Sequence, residues 1–168
     1  ALRVLITEML STIEISLKTV TIYSYSQKYG AFAYMNRATL PKLRDEDYDK
    51  CISKCSREYE QNLEPFICHF KKKYGDIHTL PPMWILAEIM SFGTLTTIFR
   101  GIEPALKQEI AHNYKIPDAV LFSWIRCLNT MRNKCAHNSQ LVFRPLGYDP
   151  FLPNKLKYPE WHDPVSFS

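Results

Sequence analysis

The sequence predicts an all-α fold, a bundle of five or six helices followed by an irregular, proline-rich tail. Apolar residues recur at steps of three and four along most of the chain, which is the spacing of amphipathic helices. No segment shows the alternation of apolar and polar residues that a half-buried strand requires. The 168 residues are enough for one domain, which we place at residues 1–144, with the tail at 145–168 packed on it.

The first helix is predicted over residues 2–28, and Gly30 is expected to end it because glycine readily adopts the left-handed conformation of a helix stop. Its apolar face is expected to consist of Leu2, Ile6, Met9, Ile13, Leu17 and Val20. Charged residues interrupt this helix too often for a membrane span, so the chain is expected to be soluble with no membrane partner. The pattern begins at residue 2, which favours a fragment lacking an N-terminal segment.

A second helical pattern covers residues 45–74, where Pro65 either kinks the helix or starts another. A third helix follows Pro81 and Pro82, and Gly93-Thr94 is expected to break it before a short helix resumes through Phe99.

Two further prolines mark the last helices, since proline is favoured in the first turn. Pro104 predicts a helix over residues 103–114, and Pro117 opens the last long helix, from residue 118 to about 136. Five of the eleven prolines fall in residues 145–164, so the tail is expected to be irregular. Four aromatic residues should hold it in place: Tyr148, Phe151, Tyr158 and Trp161.

Charge and cysteine content limit the functional classes only weakly. A net charge of +4 is compatible with a polyanionic partner. Five cysteines argue against a disulfide framework and favour a reducing, cytoplasmic setting. A zinc site built from Cys51, Cys55, Cys68 and His69 is the less favoured interpretation, because isolated buried cysteines usually behave as small hydrophobes. We therefore expect no metal and no cofactor.

The last helix carries the most informative charge. Its apolar stripe comprises Leu121, Trp124, Leu128, Met131 and Cys135. Arg132 lies about 40° from Leu128 at the stripe's edge, so its guanidinium should point toward packed protein and require a carboxylate or phosphate partner. Glu14, which flanks the apolar stripe of the first helix, is the favoured partner, and Glu88 is its rival.

His137 follows Arg132 by five residues, and an unbroken helix would rotate the two side chains about 140° apart. Either the last turn unwinds near Asn138, a plausible left-handed cap, or a second chain supplies the complementary residue. If the two groups meet, the imidazole can move a proton of the ribose 2′-hydroxyl while the guanidinium stabilises phosphate charge. Asn133 and Asn129 would then orient the phosphate or the imidazole.

Each candidate also has a structural interpretation. Arg132 can be a simple salt-bridge residue, and His137 can merely end a helix. A helix ends at Lys71, Lys72 and Lys73, where the macrodipole favours positive charge. The functional alternative for these lysines, and for Lys134, is contact with RNA. Trp84, Trp124 and Phe92 fall on apolar stripes, so core packing is favoured over base stacking.

Two segments carry a family resemblance: residues 82–95 (PMWILAEIMSFGTL) and 132–137 (RNKCAH). They resemble the abortive-infection family of the AbiD and AbiF type, which has a tryptophan, a glutamate and a Ser-Phe-Gly-x-Leu run ahead of an Arg-Asn-x-x-Ala-His ending. The resemblance extends over roughly residues 2–146. It departs after His137, where the family tends toward Arg-Leu-Trp-Asn and this chain has NSQLVFR at residues 138–144.

The resemblance implies an HEPN-superfamily helical bundle, often dimeric, in which two Arg-to-His motifs form a ribonuclease cleft. Arg132 and His137 match that motif. It further implies a bacterial antiphage toxin that leaves cyclic phosphate ends on RNA and is restrained by an antitoxin or by a missing N-terminal segment. The alternative is a non-catalytic module that binds RNA or dimerises through the same residues.

Overall fold

The structure, a computed structural model, describes residues 2–137, 139 and 147–159. All regular structure in these ranges is helical, which confirms the all-α prediction. The helices are α1 (Leu2–Tyr29), α2 (Asp45–Glu60), α3 (Pro65–Tyr74), α4 (Met83–Ile89), α5 (Phe92–Gly101), α6 (Pro104–His112) and α7 (Asp118–Ala136). The described residues thus form seven α-helices, more than the five or six predicted.

One helix start explains the higher count, and one further boundary differs from the prediction. Pro65 starts α3 instead of kinking one long helix, because proline lacks the N–H that a helix interior needs but loses nothing in the first turn. The break between α4 and α5 lies at Met90 and Ser91, not at Gly93-Thr94 as predicted. Ser91 is the stronger signal because its hydroxyl accepts the Thr94 N–H at 3.2 Å and caps α5.

Helix α7 packs on α1, α5 and α6, while α2 packs on α4 and α5. Large buried side chains fill the space between them, among them Tyr25, Tyr34, Phe92 and Phe99. The predicted core position of Phe92 is confirmed. Gly101 allows the loop before α2 to approach α5 closely, since a Cβ there would lie 2.8 Å from the Leu43 side chain.

Helix α1 has two unlike halves. Toward its C-terminal end it buries Leu17, Ile22 and Tyr25 in the core, and it stops before Gly30, whose φ of +93° is the expected helix stop. In the N-terminal half much of the predicted apolar stripe is exposed instead. We call this exposed surface the α1 apolar face, formed by Leu2, Leu5, Met9 and Ile13, which lie within about 80° of one another around the helix.

The described part of the tail, residues 147–159, contains no α-helix and lies against α7. The Trp124 indole donates to the Phe151 carbonyl at 2.6 Å, and the Phe151 N–H donates to Ser123 Oγ at 2.9 Å. The Arg126 guanidinium lies 3.7 Å from the Tyr148 ring centroid. Phe151 therefore anchors the tail through its backbone, since its side chain is exposed. Trp161 lies outside the described residues.

Within the described residues, no helix combines the length and the apolar character needed to cross a bilayer.

Candidate functional site

The C-terminal end of α7 and the N-terminal half of α1 enclose a cleft of about 240 Å³. We call it the Arg132 cleft. Its walls are Thr7, Leu10, Ser11 and Glu14 from α1, and Arg132, Cys135 and Ala136 from α7. Leu10 and Cys135 are buried beneath it, so the charged groups lie on an apolar floor.

Arg132 faces Glu14 across this cleft. Arg132 Nε lies 3.8 Å from Glu14 Oε2, and Lys18 Nζ lies 3.1 Å from Glu14 Oε1. Glu14 is thus shared by two cations, and the pairing with Arg132 that the sequence favours is present. Because 41% of the Arg132 side chain is exposed, water screens this pair. The guanidinium carries five N–H donors, so it can hold Glu14 and an incoming phosphate together.

His137 is exposed at the end of α7. Its N–H donates to the Asn133 carbonyl at 3.0 Å, so helical bonding continues through the residue. Helix α7 ends at Ala136 with His137 as its C-cap, and Asn138, the predicted left-handed cap, lies outside the described residues. The helical rotation of about 140° between Arg132 and His137 remains. His137 is not a wall of the Arg132 cleft. One chain alone leaves the two side chains on different sides of α7.

Arg3 holds the end of α7 in place, a role that the sequence pattern does not assign to it. Its guanidinium donates to the carbonyls of Lys134 at 2.9 Å, Cys135 at 3.2 Å and Ser139 at 2.9 Å. These carbonyls lie on both sides of His137. The last carbonyls of a helix have no partner within the helix. Arg3 supplies a donor for Cys135 and adds to the bond that the Lys134 carbonyl accepts from the Ser139 N–H at 2.9 Å. A lone charge in the first turn of an apolar helix is the only sequence signal for this role.

The two asparagines occupy different surroundings. Asn133 is exposed on α7. Asn129 faces the start of α5, where its Oδ1 would lie 3.8 Å from a Cβ added to Gly93. That Oδ1 atom is buried and has no hydrogen-bond partner. Neither asparagine is a wall of the Arg132 cleft, so their predicted orienting roles gain no direct contact with Arg132 there.

The four lysines predicted to contact RNA also lie in different surroundings. Lys71 Nζ donates to the carbonyls of Glu60 at 3.0 Å and Asn62 at 3.1 Å, which places this ammonium at the C-terminal end of α2. Lys72 and Lys73 are exposed on α3, which contributes no wall to the Arg132 cleft. Lys134 adjoins Arg132 in α7, and its carbonyl accepts a bond from Arg3.

Cys51 and Cys55 belong to the hydrophobic core, as expected for small apolar side chains. A hydrogen bond from Cys55 lowers the pKa of the Cys51 thiol, while the same bond and burial raise the pKa of Cys55. Cys68 is exposed. The parts of the chain that the structure describes contain no group of three His, Cys, Asp or Glu residues that could hold a metal ion.

A second and larger cavity, of about 460 Å³, lies between α1 and α4. We call it the α1–α4 groove. Its walls are Ile15, Lys18, Thr19, Ile22, Tyr23, Ser26 and Gln27 from α1, and Trp84, Ala87 and Glu88 from α4. Trp84 is 53% exposed, so its predicted core position is wrong, whereas Trp124 packs partly buried against the core. Glu88 lies in this groove and not beside Arg132.

Comparison with known proteins gives one match. A family model described as "Abi-like protein" matches residues 1–142, which include every wall of both cavities. No curated protein and no solved structure matches the chain.

Proposed function

The chain belongs to the Abi-like protein family, whose membership points to abortive infection and phage defence, and from this premise we propose that it is a metal-independent RNA endonuclease of a bacterial abortive-infection system. One observation carries the proposal. Arg132, paired with Glu14 in a cleft, and His137, at a helix end tied down by Arg3, lie on the last turns of the same helix.

The proposed reaction needs only these groups and RNA. An imidazole, which titrates near neutral pH, takes the proton of the ribose 2′-hydroxyl. The 2′-oxygen attacks phosphorus, and the bond from phosphorus to the 5′-oxygen breaks. The imidazole, now in its acid form, returns the proton to the leaving 5′-oxygen, which gives a 2′,3′-cyclic phosphate and a 5′-hydroxyl. Arg132 stabilises the charge that builds on the phosphate oxygens.

This mechanism requires a homodimer, because a single chain keeps Arg132 and His137 on different sides of α7. The α1 apolar face supports association: Leu2 is 53% exposed, Leu5 51% and Met9 56%. A contiguous apolar surface of this kind is rare on monomers and typical of interfaces. It lies along the same half of α1 as the Arg132 cleft but on a different side of the helix, so a partner chain packed there would be at the same end of the bundle as Arg132.

RNA cleavage by the purified protein, with a chelator present, tests the proposal. His137→Ala and Arg132→Ala should each lower the rate by about 100-fold or more. His112→Ala is the matched control, since His112 is also an exposed histidine in the last turn of a helix. Cleavage that survives His137→Ala unchanged would contradict the proposal.

A second candidate is a non-catalytic RNA-binding or dimerisation module of the same family. It is favoured by the separation of His137 from the Arg132 cleft in a single chain. In that case Arg132→Ala weakens RNA retention in a gel-shift assay, while the wild-type protein never cuts the RNA.

A further inference from the structure

We propose that the α1–α4 groove is a docking site for an arginine side chain presented by a basic segment of a partner protein. The groove lies on a different side of α1 from the Arg132 cleft, and no wall residue is common to the two. Its volume of about 460 Å³ is within the range of built ligand sites. The inference concerns binding alone and does not depend on RNA cleavage.

Two aromatic side chains line the groove without being packed. Trp84 is 53% exposed and Tyr23 is 66% exposed. In the described part of the chain neither ring stacks on another aromatic ring or carries a cation over its face. Core packing therefore does not account for them. Their faces are open to a ligand that stacks, and a planar guanidinium does so with a favourable cation–π interaction.

The charges of the groove select a cation. Lys18 is the one basic residue among its walls, and Glu14 already holds it at 3.1 Å. Glu88 is exposed one helical turn after Trp84, on the same side of α4. Among the described residues no cation pairs with Glu88. The uncompensated charge is therefore negative, which disfavours a phosphate-bearing occupant.

A guanidinium uses both features at once. It stacks on the Trp84 ring and donates two parallel N–H bonds to the Glu88 carboxylate, a geometry that an ammonium cannot reproduce. The groove follows α1 from Ile15 to Gln27, a length of about 18 Å at 1.5 Å per residue. This is about the span of five extended residues, so the arginine belongs to a peptide segment whose neighbours contact Thr19 and Ile22.

Titration with short peptides tests the inference. The probe is an acetylated Ala-Ala-Arg-Ala-Ala amide, and the matched peptide replaces arginine with citrulline, which keeps the shape and removes the charge. The indole N–H signal of Trp84, assigned with Trp84→Phe, reports binding by NMR. The arginine peptide should shift this signal saturably, and the citrulline peptide should bind at least about tenfold more weakly.

Two exposed carboxylates make the control pair. Glu88→Gln should weaken the arginine peptide about tenfold, whereas Glu8→Gln, on the exposed surface of α1 outside the groove, should leave it unchanged. Both variants should keep the wild-type far-UV circular dichroism. Equal binding of the two peptides, or no shift with either, would overturn the inference. A shift of the Trp84 signal by guanosine monophosphate at lower concentration than by the arginine peptide would instead assign the groove to an RNA base.

Discussion

Tyr25 is a fully buried tyrosine whose hydroxyl is hydrogen-bonded to Thr39 Oγ1 at 2.5 Å. Thr39 in turn donates to the Ala33 and Asn36 carbonyls, each at 2.8 Å. Burial is the main cause that raises the pKa of Tyr25 to about 12. Because the folded pKa lies above the unfolded value of 10.0, the stability that the neutral hydroxyl contributes is complete below pH 10 and is lost as the pH rises toward 12.

This titration predicts a pH-dependent effect of Tyr25→Phe. At pH 8 the variant should lose about 1 kcal/mol of unfolding free energy with the hydrogen bond. Between pH 10 and 12 the wild type should lose about 1.4 kcal/mol per pH unit from Tyr25, while the variant does not. The stability gap should therefore close near pH 11 in urea unfolding. Tyr23→Phe, at an exposed position, is the control, and a Tyr25→Phe gap that stays constant with pH would contradict the prediction.

Side-chain partners were predictable only where both members leave a pattern. Arg132 and Glu14 each flank an apolar stripe of a long helix, so their pairing follows from two helical wheels. Arg3 binds three main-chain carbonyls, which every residue possesses and which give no signal in a sequence. Trp84 has the spacing of a core residue, but no helix packs over it. The spacing of apolar residues does not show whether another helix covers that face.

At the scale of elements, the end of α7 depends on a residue from the start of α1. Arg3→Ala should fray the last turn of α7, because three carbonyls lose a charged donor. We expect a loss of about 1–2 kcal/mol of unfolding free energy and faster hydrogen exchange of the His137 N–H, which is bonded to Asn133.

Arg44→Ala is the control for this prediction. Arg44 is likewise an arginine at the start of a helix, but it forms an ion pair with Asp47 in the adjacent turn, and its side chain is 80% exposed. Its removal should leave His137 exchange unchanged. If Arg3→Ala leaves that exchange rate at the wild-type value, Arg3 does not hold the helix end. Under the proposed nuclease function, Arg3 is a positioning residue, so Arg3→Lys should restore part of the exchange protection and of the cleavage together.

Helix positions were more predictable than helix boundaries. The apolar period placed α1, α6 and α7 within a few residues, because each begins or ends at a proline or glycine with a defined backbone preference. The boundary between α4 and α5 was misplaced because Gly93 resembles a breaker, whereas the Ser91 cap, with Lys54 donating to its hydroxyl at 2.7 Å, decides the outcome. A cap is a local hydrogen bond, but its strength depends on neighbours in the fold that are distant in the sequence, and the sequence does not show which residues these are.

At the scale of the whole molecule, the bundle covers only half of α1. The sequence correctly predicts that an apolar stripe runs along its N-terminal half, but not what covers it. In the single chain Leu2 and Met9 remain 53% and 56% exposed. The all-α class follows from the spacing of apolar residues alone, because this spacing distinguishes helices from strands. The assignment of each stripe to the core or to a partner requires the packing of all seven described helices.

Replacement of a central residue of the α1 apolar face tests its role in assembly. Leu5→Glu places a charge on this surface, whereas Glu8→Gln changes a polar position of the same exposed helix segment. We expect the wild type and Glu8→Gln to have the solution mass of a dimer and Leu5→Glu that of a monomer, because an unpaired charge is not tolerated within an apolar interface. A wild-type monomer at assay concentration excludes the composite cleft, that is, one formed by Arg132 of one chain and His137 of its partner.

The composite cleft makes a final prediction that no single-chain site can meet. Arg132→Ala retains His137, and His137→Ala retains Arg132, so each variant alone should be inactive. If the functional cleft joins Arg132 of one chain to His137 of its partner, a mixed dimer contains one complete cleft of two. Refolding the variants together at equal concentration should then restore about a quarter of the wild-type cleavage rate, since half of the dimers are mixed and each has one intact site. Adding Leu5→Glu to both chains should abolish the recovery. If the mixture stays inactive although mass spectrometry detects mixed dimers, Arg132 and His137 do not act across the interface, and the binding-module interpretation gains the stronger support.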